Sequence, residues 1–290
     1  MRFELHIAPL DLDLTLGCGQ TFRWIRQPDG SWKGVLGRHS VTLRQKGSAI
    51  AGEATPGGQE ARRLTEVLVR SHDDIRKIQH VLSKDPVLYP GVTRLKGLRI
   101  VKLDEWECLV SYILATYANI PRIMKMVDAV ACAYGRRIAP GVHEFPSRRA
   151  LARASVGELA KLGLGYRAKY VHALCDSIDE RAIEGMLHMP YEELRKELLA
   201  LPGVGEKVAD CVSLFGFGRL ESFPIDVWIE RALSRLYRQK GSYKKLRHFA
   251  NERFGEYAGY AQEYIYHNER MRERTGECAF SNQRYDRLVQ

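Results

Sequence analysis

Residues 201–211 read LPGVGEKVADC, a run in which one helix ends, the chain turns and a second helix begins. Apolar residues spaced by three and four predict helices on either side, and Gly203 and Gly205 flank Val204 in what we predict to be a tight turn. The first amides of the second helix then face outward, where the helix dipole also favours an anion. The pattern predicts a hairpin that binds a phosphate without reading base sequence. A plain connector within a helical bundle is the alternative.

Lys207 follows the turn at once. A cation in the first turn of a helix opposes the dipole, so this position favours a neutral amine that can act as a nucleophile. Cys211 lies one turn later on the same face. Asp226 follows Pro224 and begins the next predicted helix, where a carboxylate is a natural N-cap. Together Lys207 and Asp226 suggest imine chemistry on a nucleic acid sugar, while a surface lysine and a simple cap are the alternatives.

The chain on both sides of this hairpin divides into a β part and a helical part. Candidate strands lie at Phe22–Trp24, Trp32–Leu36 and Val41–Leu43, separated by turn signals, and amphipathic helices start at Gln59. After Pro90-Gly91 the periodicity predicts helices throughout. The predicted helical segments are 104–118, 121–134, 148–153, 156–163, 167–184, 191–200, 206–217, 226–238, 243–254 and 256–273.

The fold class predicted from this pattern is α+β, with an N-terminal antiparallel sheet followed by an all-α body. We place the boundary between residues 93 and 94. Residues 1–93 then form the β-rich domain. Residues 94–290 form two helical subdomains with the active site between them.

Composition narrows the class of protein. The 290 residues carry 45 Lys and Arg against 35 Asp and Glu, a net charge of +10, which suits a polyanionic partner. No apolar run approaches the ~18 residues of a membrane span, and the acidic N-terminus does not resemble a signal peptide. The six cysteines include no close pair of the kind that holds zinc or an iron–sulfur cluster. We therefore expect an intracellular protein that acts on DNA, without a membrane partner.

Several motifs in shared order resemble the helix-hairpin-helix glycosylase superfamily, and within it the 8-oxoguanine DNA glycosylases of the eukaryotic type. Besides the hairpin and FPIDV at 223–227, the matches run from about residue 17 to 266. They are CGQTFRW at 18–24, ECL at 107–109, NIPRI at 119–123, FPS at 145–147, LGLGYRAKY at 162–170 and YAGYAQ at 257–262.

The resemblance implies roles for the hairpin residues. Lys207 would attack C1′ of the damaged nucleotide, expel the base and form a Schiff base, after which β-elimination cleaves the strand. Asp226 would stabilise the positive charge that develops on the sugar. No metal or organic cofactor is implied. Backbone carbonyls of Leu199, Leu201 and Val204 would hold a structural cation, as hairpins of this family do.

The same resemblance implies how the extruded base is read. The carbonyl of Gly19 would accept the N7–H that only the oxidised base carries, since the lone pair of guanine N7 would repel it. Gln262 would read the Watson–Crick edge. Tyr266, one turn later on the same helix face, would stack on the base and Cys211 would pack on its other side. Core packing is the alternative for Tyr266 and Cys211.

The resemblance also implies how the gap left in the DNA by the extruded base is filled. Tyr166 would be the intercalating wedge. Arg122 and Arg167 would contact the orphaned cytosine, beside Asn119. The chain departs from the family at two positions. Tyr117 stands where the family has an asparagine, which puts the preference for cytosine in doubt. Trp228 replaces a typical histidine and removes a proton relay.

Three other functions compete with this one. A glycosylase for alkylated bases shares the scaffold but typically lacks the lysine. An enzyme of the endonuclease III type usually has four clustered cysteines near its C-terminus, whereas this chain has only Cys278 there. A non-catalytic DNA-binding module would not require both Lys207 and Asp226. The predicted partner is duplex DNA containing 8-oxoguanine, bound by a monomer.

Overall fold

A computed structural model describes residues 1–275. The N-terminal part is a twisted antiparallel sheet with the strand order β1-β5-β4-β3-β2. Its strands are β1 (Arg2–His6), β2 (Ile25–Arg26), β3 (Trp32–Leu36), β4 (His39–Lys46) and β5 (Ala49–Thr55), and helix α1 (Leu12–Gly17) lies between β1 and β2. The sheet accounts for the β character of the first sixty residues.

The sheet is amphipathic because apolar residues alternate along its strands. Val41 and Leu43 on β4 and Ile50 on β5 are fully buried, while the residues between them are more exposed. Leu43 pairs with Trp32 on β3, and Ile50 pairs with Leu5 on β1. A shift of one residue would turn these side chains outward, so burial of one face fixes the register.

The rest of the described chain is mainly helical. The first helices are α2 (Gln59–Leu68), α3 (Ile75–Leu82), α4 (Tyr89–Arg94), α5 (Glu105–Leu114) and α6 (Ile120–Tyr134). A small hairpin of β6 (Arg137–Ala139) and β7 (Val142–His143) follows. Next come α7 (Arg148–Leu151), α8 (Val156–Leu159), a π-helical turn (Ala160–Leu164), α9 (Arg167–Ser177), α10 (Glu180–Met186) and α11 (Tyr191–Leu199). The last are α12 (Glu206–Cys211), a second π-helical turn (Val212–Gly216), α13 (Val227–Tyr237), α14 (Tyr243–Phe254), a 3₁₀ turn (Gly255–Tyr257) and α15 (Ala258–Thr275).

Short polar side chains decide where many of these helices begin. Each accepts a hydrogen bond from an amide of the first turn, which would otherwise lack a partner. These N-caps are Asp11, Asp74, Asp104, Asn119, Ser147, Ser155, Asp179, Asp226 and Ser242. Two of them, Asn119 and Asp226, also line the candidate active site.

A buried glutamine fastens the β part to the helical body. The Gln20 side chain donates from Nε2 to the Arg99 carbonyl (2.9 Å) and accepts at Oε1 from the Val101 amide (2.9 Å). Its own carbonyl accepts from the Tyr112 hydroxyl on α5 at 3.0 Å. These bonds fix the loop around Gly19 against α5. The N-terminal part therefore contributes directly to the site that the helices form.

The predicted class, a sheet followed by a helical body, is confirmed. The predicted strands at 32–36 and 41–43 lie in β3 and β4, but the strand at Phe22–Trp24 is wrong. Phe22 and Trp24 are both buried against the core, and pairing with β3 starts only at Ile25.

Two predicted helices are too long, and one stretch expected to be helical contains a hairpin. The segment 104–118 ends at Leu114, because Tyr117 has a φ of +49° and Asn119 begins a new helix. The segment 167–184 breaks at Ile178, which is extended and followed by the cap of α10. The hairpin of β6 and β7 was not predicted. Among residues 1–275, no helix is long and apolar enough to cross a membrane.

Candidate active site

The hairpin forms as the sequence predicts. Gly203 has a φ of +80°, and a Cβ there would lie 2.7 Å from the Cβ of Tyr170, so only glycine fits without displacing its neighbour. The Val204 amide closes the turn onto the Leu201 carbonyl at 3.2 Å. Gly205 is the extended N-cap of α12 and has no side chain to bond the first amides of that helix. These amides are accordingly left for an external acceptor.

Lys207 reaches from α12 into a cavity of about 380 Å³. Its Nζ lies 5.3 Å from the centroid of the Tyr112 ring, and its charge and hydrogen bond act on the Cys211 thiol one turn later. Burial raises the pKa of Cys211 to about 12, against the opposing effect of Lys207. The Cys211 thiol is therefore neutral at neutral pH, and it lines the cavity beside Lys207.

Asp226 caps α13 and also faces Lys207. Both cap bonds, from the amides of Trp228 (3.0 Å) and Ile229 (2.9 Å), go to Oδ1, so Oδ2 is not part of the cap. Burial raises the pKa of Asp226, while the Ile229 amide and the charge of Lys207 lower it. The two interpretations of this residue, N-cap and partner of the lysine, are thus compatible in one side chain.

A buried polar network holds Asp226 in place. The Tyr243 hydroxyl on α14 accepts from the Ile225 amide (3.2 Å) and donates to Oδ2 of Asp210 (2.6 Å). Asp210 also accepts from the Tyr191 hydroxyl (2.7 Å) and from Nε of Arg195 (2.9 Å). The network joins α11, α12 and α14 to the segment that carries Asp226, and α12 is the helix that carries Lys207.

The opposite wall of the cavity comes from the loop after α1 and from α15. Gly19 has a φ of +105°, and a Cβ there would lie 2.7 Å from Cδ1 of Ile120 and 3.0 Å from Nη1 of Arg270. Gln262 is buried, and its Oε1 has no hydrogen-bond partner. Tyr266 lies one turn further along α15, where burial raises the pKa of its hydroxyl. The predicted base-reading residues thus share one cavity with Lys207 and Asp226.

Two charged residues of this wall were not predicted. Glu263 is only 3% exposed, and its Oε2 has no hydrogen-bond partner. Arg270 donates to the Cys18 carbonyl, and its guanidinium lies 5.6 Å from the centroid of the Tyr266 ring. The only signal in the sequence was a glutamate directly after Gln262 on a helix face that packs inward.

A second group of predicted residues lies at the mouth of the cavity. The Tyr117 side chain is 97% exposed, and Tyr166 is 47% exposed with its hydroxyl 3.1 Å from Oγ1 of Thr116. Arg122 is exposed at the start of α6, whose N-cap is Asn119. Arg167 differs from the others because it is 2% exposed and donates from Nε to the Thr116 carbonyl at 2.9 Å. In this conformation Arg167 holds the loop that carries Tyr117.

The described cysteines form no disulfide, and Cys278 lies outside the described residues. Among residues 1–275, no three His, Cys, Asp or Glu side chains are grouped so that they could hold a metal ion. The carbonyls of Leu199, Leu201 and Val204 that were predicted to hold a cation lie around the hairpin turn, where that of Leu201 already accepts the Val204 amide.

Two family models match successive parts of the chain. The N-terminal domain of 8-oxoguanine DNA glycosylase matches residues 2–109. The HhH-GPD superfamily of base excision DNA repair proteins matches residues 110–256, about half of the chain, including the hairpin, Lys207 and Asp226. The chain belongs to the HhH-GPD superfamily. The family resemblance read from the motifs is therefore confirmed.

Individual relatives agree with this membership. The chain is 32% identical to the N-glycosylase/DNA lyase OGG1 of Arabidopsis thaliana, over 96% of this chain and 82% of that protein. Its fold matches a solved structure of MBOgg1 in complex with a low-affinity DNA ligand, with a TM-score of 0.88 and 32% identity over 94% of this chain and 96% of that one. It also matches the 8-oxoguanine glycosylase/lyase of Clostridium acetobutylicum in complex with duplex DNA containing cytosine opposite 8-oxoguanine. That match has a TM-score of 0.86 and 28% identity over 94% and 98% of the two chains.

One departure from the expected pattern is visible within this HhH-GPD site. Trp228 lines the cavity beside Asp226, where the resemblance predicts a histidine. An indole has no basic nitrogen that could accept a proton. Proton transfer in this site therefore has to use Lys207, Asp226 or another group of the cavity.

Proposed function

We propose that this protein is a bifunctional base excision repair enzyme that removes 8-oxoguanine from duplex DNA and then cleaves the strand. One observation carries the proposal. Lys207 and Asp226 line the same cavity as Gly19, Gln262 and Tyr266. A nucleophile and a carboxylate thus share a base-sized space with groups able to read a purine.

The chemistry follows from the lysine. Nζ of Lys207 attacks C1′ of the everted nucleotide, the bond between C1′ and the base nitrogen breaks, and the base leaves with its electron pair. The sugar ring opens as a Schiff base forms between Nζ and C1′. Loss of a proton from C2′ then expels the 3′ phosphate, which cleaves the strand. The Asp226 carboxylate stabilises the positive charge on the sugar during the first step. These steps require no cofactor.

Base selection uses four residues of the cavity. The Gly19 carbonyl accepts N7–H of the oxidised base and repels the N7 lone pair of guanine. The unpartnered Oε1 of Gln262 accepts from the Watson–Crick edge. Tyr266 and Cys211 enclose the two faces of the base. Extrusion of a base costs a few kcal/mol. A captured guanine would leave the Gly19 carbonyl without a hydrogen bond, and this loss suffices to disfavour capture of an ordinary guanine.

The remaining predicted residues contact the DNA around the gap. The hairpin of Gly203, Val204 and Gly205 binds a backbone phosphate through the free first amides of α12, which follow Gly205. Tyr166, which is half exposed at the mouth of the cavity, fills the vacated stack. Arg122 and Asn119 lie on the same rim. Arg167 reaches the orphaned base only if it releases the Thr116 carbonyl.

The hairpin carbonyls of Leu199, Leu201 and Val204 are proposed to hold a structural cation. We further propose that the protein acts inside the cell on DNA as a monomer. The proposed domain boundary lies between residues 93 and 94.

Two competing functions are less well supported by the site. An alkylated-base glycosylase typically has no lysine at position 207, whereas Lys207 lines the cavity here. A non-catalytic DNA-binding protein would not need a polar network that fixes Asp226 opposite that lysine.

The test is cleavage of one duplex series with 8-oxoguanine opposite each of the four bases, with and without alkali. We expect the wild-type protein to release the base and to cut the strand without alkali. Lys207→Gln should do neither, and it should still bind the duplex. Base release by wild-type protein from an alkylated-purine duplex but not from the 8-oxoguanine duplex would contradict the proposal.

A further inference from the structure

Glu263 is a buried acid inside the cavity, and the chemistry described above does not use it. It follows Gln262 on α15 and is 3% exposed. The Cys18 thiol lies within hydrogen-bonding reach of its carboxyl, whereas Oε2 has no partner among the described residues. An unsatisfied buried carboxyl oxygen destabilises the folded protein. Its retention in a ligand cavity indicates that a bound molecule satisfies it.

The charges around Glu263 determine its protonation. The pKa of this carboxyl is raised to about 8, chiefly by burial and to a smaller extent by the Asp226 carboxylate, against the opposing effects of the Cys18 contact and the Arg270 guanidinium. The titratable and charged groups that line the cavity with it, from every wall, are Tyr112, Lys207, Cys211, Asp226, Tyr266 and Arg270. At neutral pH Glu263 therefore carries a proton, and a neutral carboxyl group is a hydrogen-bond donor.

The position of Glu263 determines which atom of the extruded base its side chain contacts. This step rests on the proposed function, in which the Gly19 carbonyl meets N7 and Gln262 meets the Watson–Crick edge. On a purine, the oxygen O6 lies between those two edges. Glu263 is close to both reading groups, since it follows Gln262 in the chain, contacts Cys18, the residue before Gly19, and lines the same cavity.

We propose that Glu263 is a specificity-determining residue of this site, whose unpartnered carboxyl oxygen donates a hydrogen bond to O6 of the extruded purine. The residue recognises a 6-keto purine, complementing the Gly19 carbonyl, which recognises oxidation at C8. When its proton is lost, the carboxylate would repel O6 and the base would be held less well.

The test compares Glu263→Gln, which keeps a donor of the same shape, with Glu263→Leu, which removes it. Glu252→Leu is the control, because Glu252 is exposed and pairs only with His248 on the surface. Single-turnover excision is measured across pH 6–9.5 on an 8-oxoguanine duplex. Cleavage of a preformed abasic site, which has no base to recognise, is measured in parallel.

We expect Glu263→Leu to lose about tenfold in the single-turnover excision rate of 8-oxoguanine at sub-saturating enzyme, with a smaller loss at saturation, and to cut the abasic site at the wild-type rate. Glu263→Gln should stay within about threefold of wild type at pH 7. It should also lack the fall in wild-type excision that we expect as the pH rises through about 8.

Three results would overturn the inference. They are unchanged 8-oxoguanine excision by Glu263→Leu, an equal loss on the abasic site, and an alkaline fall that persists in Glu263→Gln. Failure of the proposed function has a different signature, since the wild-type protein itself would then release no 8-oxoguanine.

Discussion

At the scale of single residues, Asp226 caps α13 and is proposed to act on the sugar as well, two functions that the sequence presents as alternatives. Its Oδ1 accepts both cap bonds of α13, so a single oxygen provides the hydrogen-bond partner for both amides. The charge of the carboxylate is then available to the sugar beside Lys207. A substitution that keeps the cap but removes the charge separates the two functions.

Asp226→Asn makes that separation, because an amide oxygen still caps a helix. We expect excision of 8-oxoguanine to slow by about 100-fold, with duplex affinity and thermal stability close to wild type. Single-turnover kinetics and thermal unfolding check this, with the exposed Asp128→Asn as control. An excision rate equal to wild type would leave Asp226 with a capping function only.

Tyr117 supplies a second prediction at this scale. The ring is almost fully exposed at the rim of the cavity, where stacking tolerates any base while hydrogen bonds select one. We expect wild-type excision to differ little, less than about tenfold, among the four bases opposite 8-oxoguanine. Tyr117→Asn should increase the preference for cytosine. A strong cytosine preference in the wild type that the substitution does not change would show that other residues read the gap.

At the scale of elements, the segment before α13 is positioned by a helix that contributes nothing to the cavity itself. Tyr243 on α14 bonds both the Ile225 amide and the Asp210 carboxylate. Loss of that hydroxyl leaves a buried amide and a buried carboxylate short of a partner.

Tyr243→Phe should therefore destabilise the protein by about 1–2 kcal/mol. It should also slow excision by roughly tenfold or more, since Asp226 is free to shift from Lys207. Urea unfolding and single-turnover kinetics measure the two effects. Tyr89→Phe is the matched control on an exposed tyrosine. A loss of stability without any loss of rate would mean that the network does not position Asp226.

The sequence predicted helices, strands and turns well where local signals are strong, and less well where tertiary contacts determine the structure. The hairpin glycines, the strand pattern of Val41 and Leu43 and the Asp226 cap are local, and the structure has them as expected. The end of α5 depends on a left-handed residue at Tyr117, and the break before α10 depends on an extended Ile178. The role of Glu263 could not be predicted, because its burial results from contact between α15 and a loop more than two hundred residues away.

At the scale of the whole molecule, the sheet and the helices form one continuous core. Gln20 and Arg99 link the two parts through buried hydrogen bonds. The loop around Gly19, which is proposed to read the base, belongs to the N-terminal part, and Lys207, the proposed nucleophile, belongs to the helical part. Recognition and chemistry therefore require that the two parts stay fixed to one another.

Because the β part and the helical part share one core, we expect calorimetry to show a single cooperative unfolding transition. Leu43→Ala, deep in the sheet, should lower that transition as a whole, at a cost of about 2–5 kcal/mol. The controls are exposed side chains on the sheet, such as Lys33→Ala. A transition that splits in two, with the helical part unchanged, would show that the β part and the helical body unfold independently.

We propose that Lys207 forms a covalent bond with the damaged nucleotide, and borohydride trapping tests for this bond most directly. The wild-type protein is mixed with an 8-oxoguanine duplex, reduced, digested and mapped by mass spectrometry. We predict that the reduced sugar is attached to the peptide containing Lys207, and that Lys207→Gln gives no adduct. Trapping that persists in Lys207→Gln, or an adduct mapped to another amine, would contradict the account.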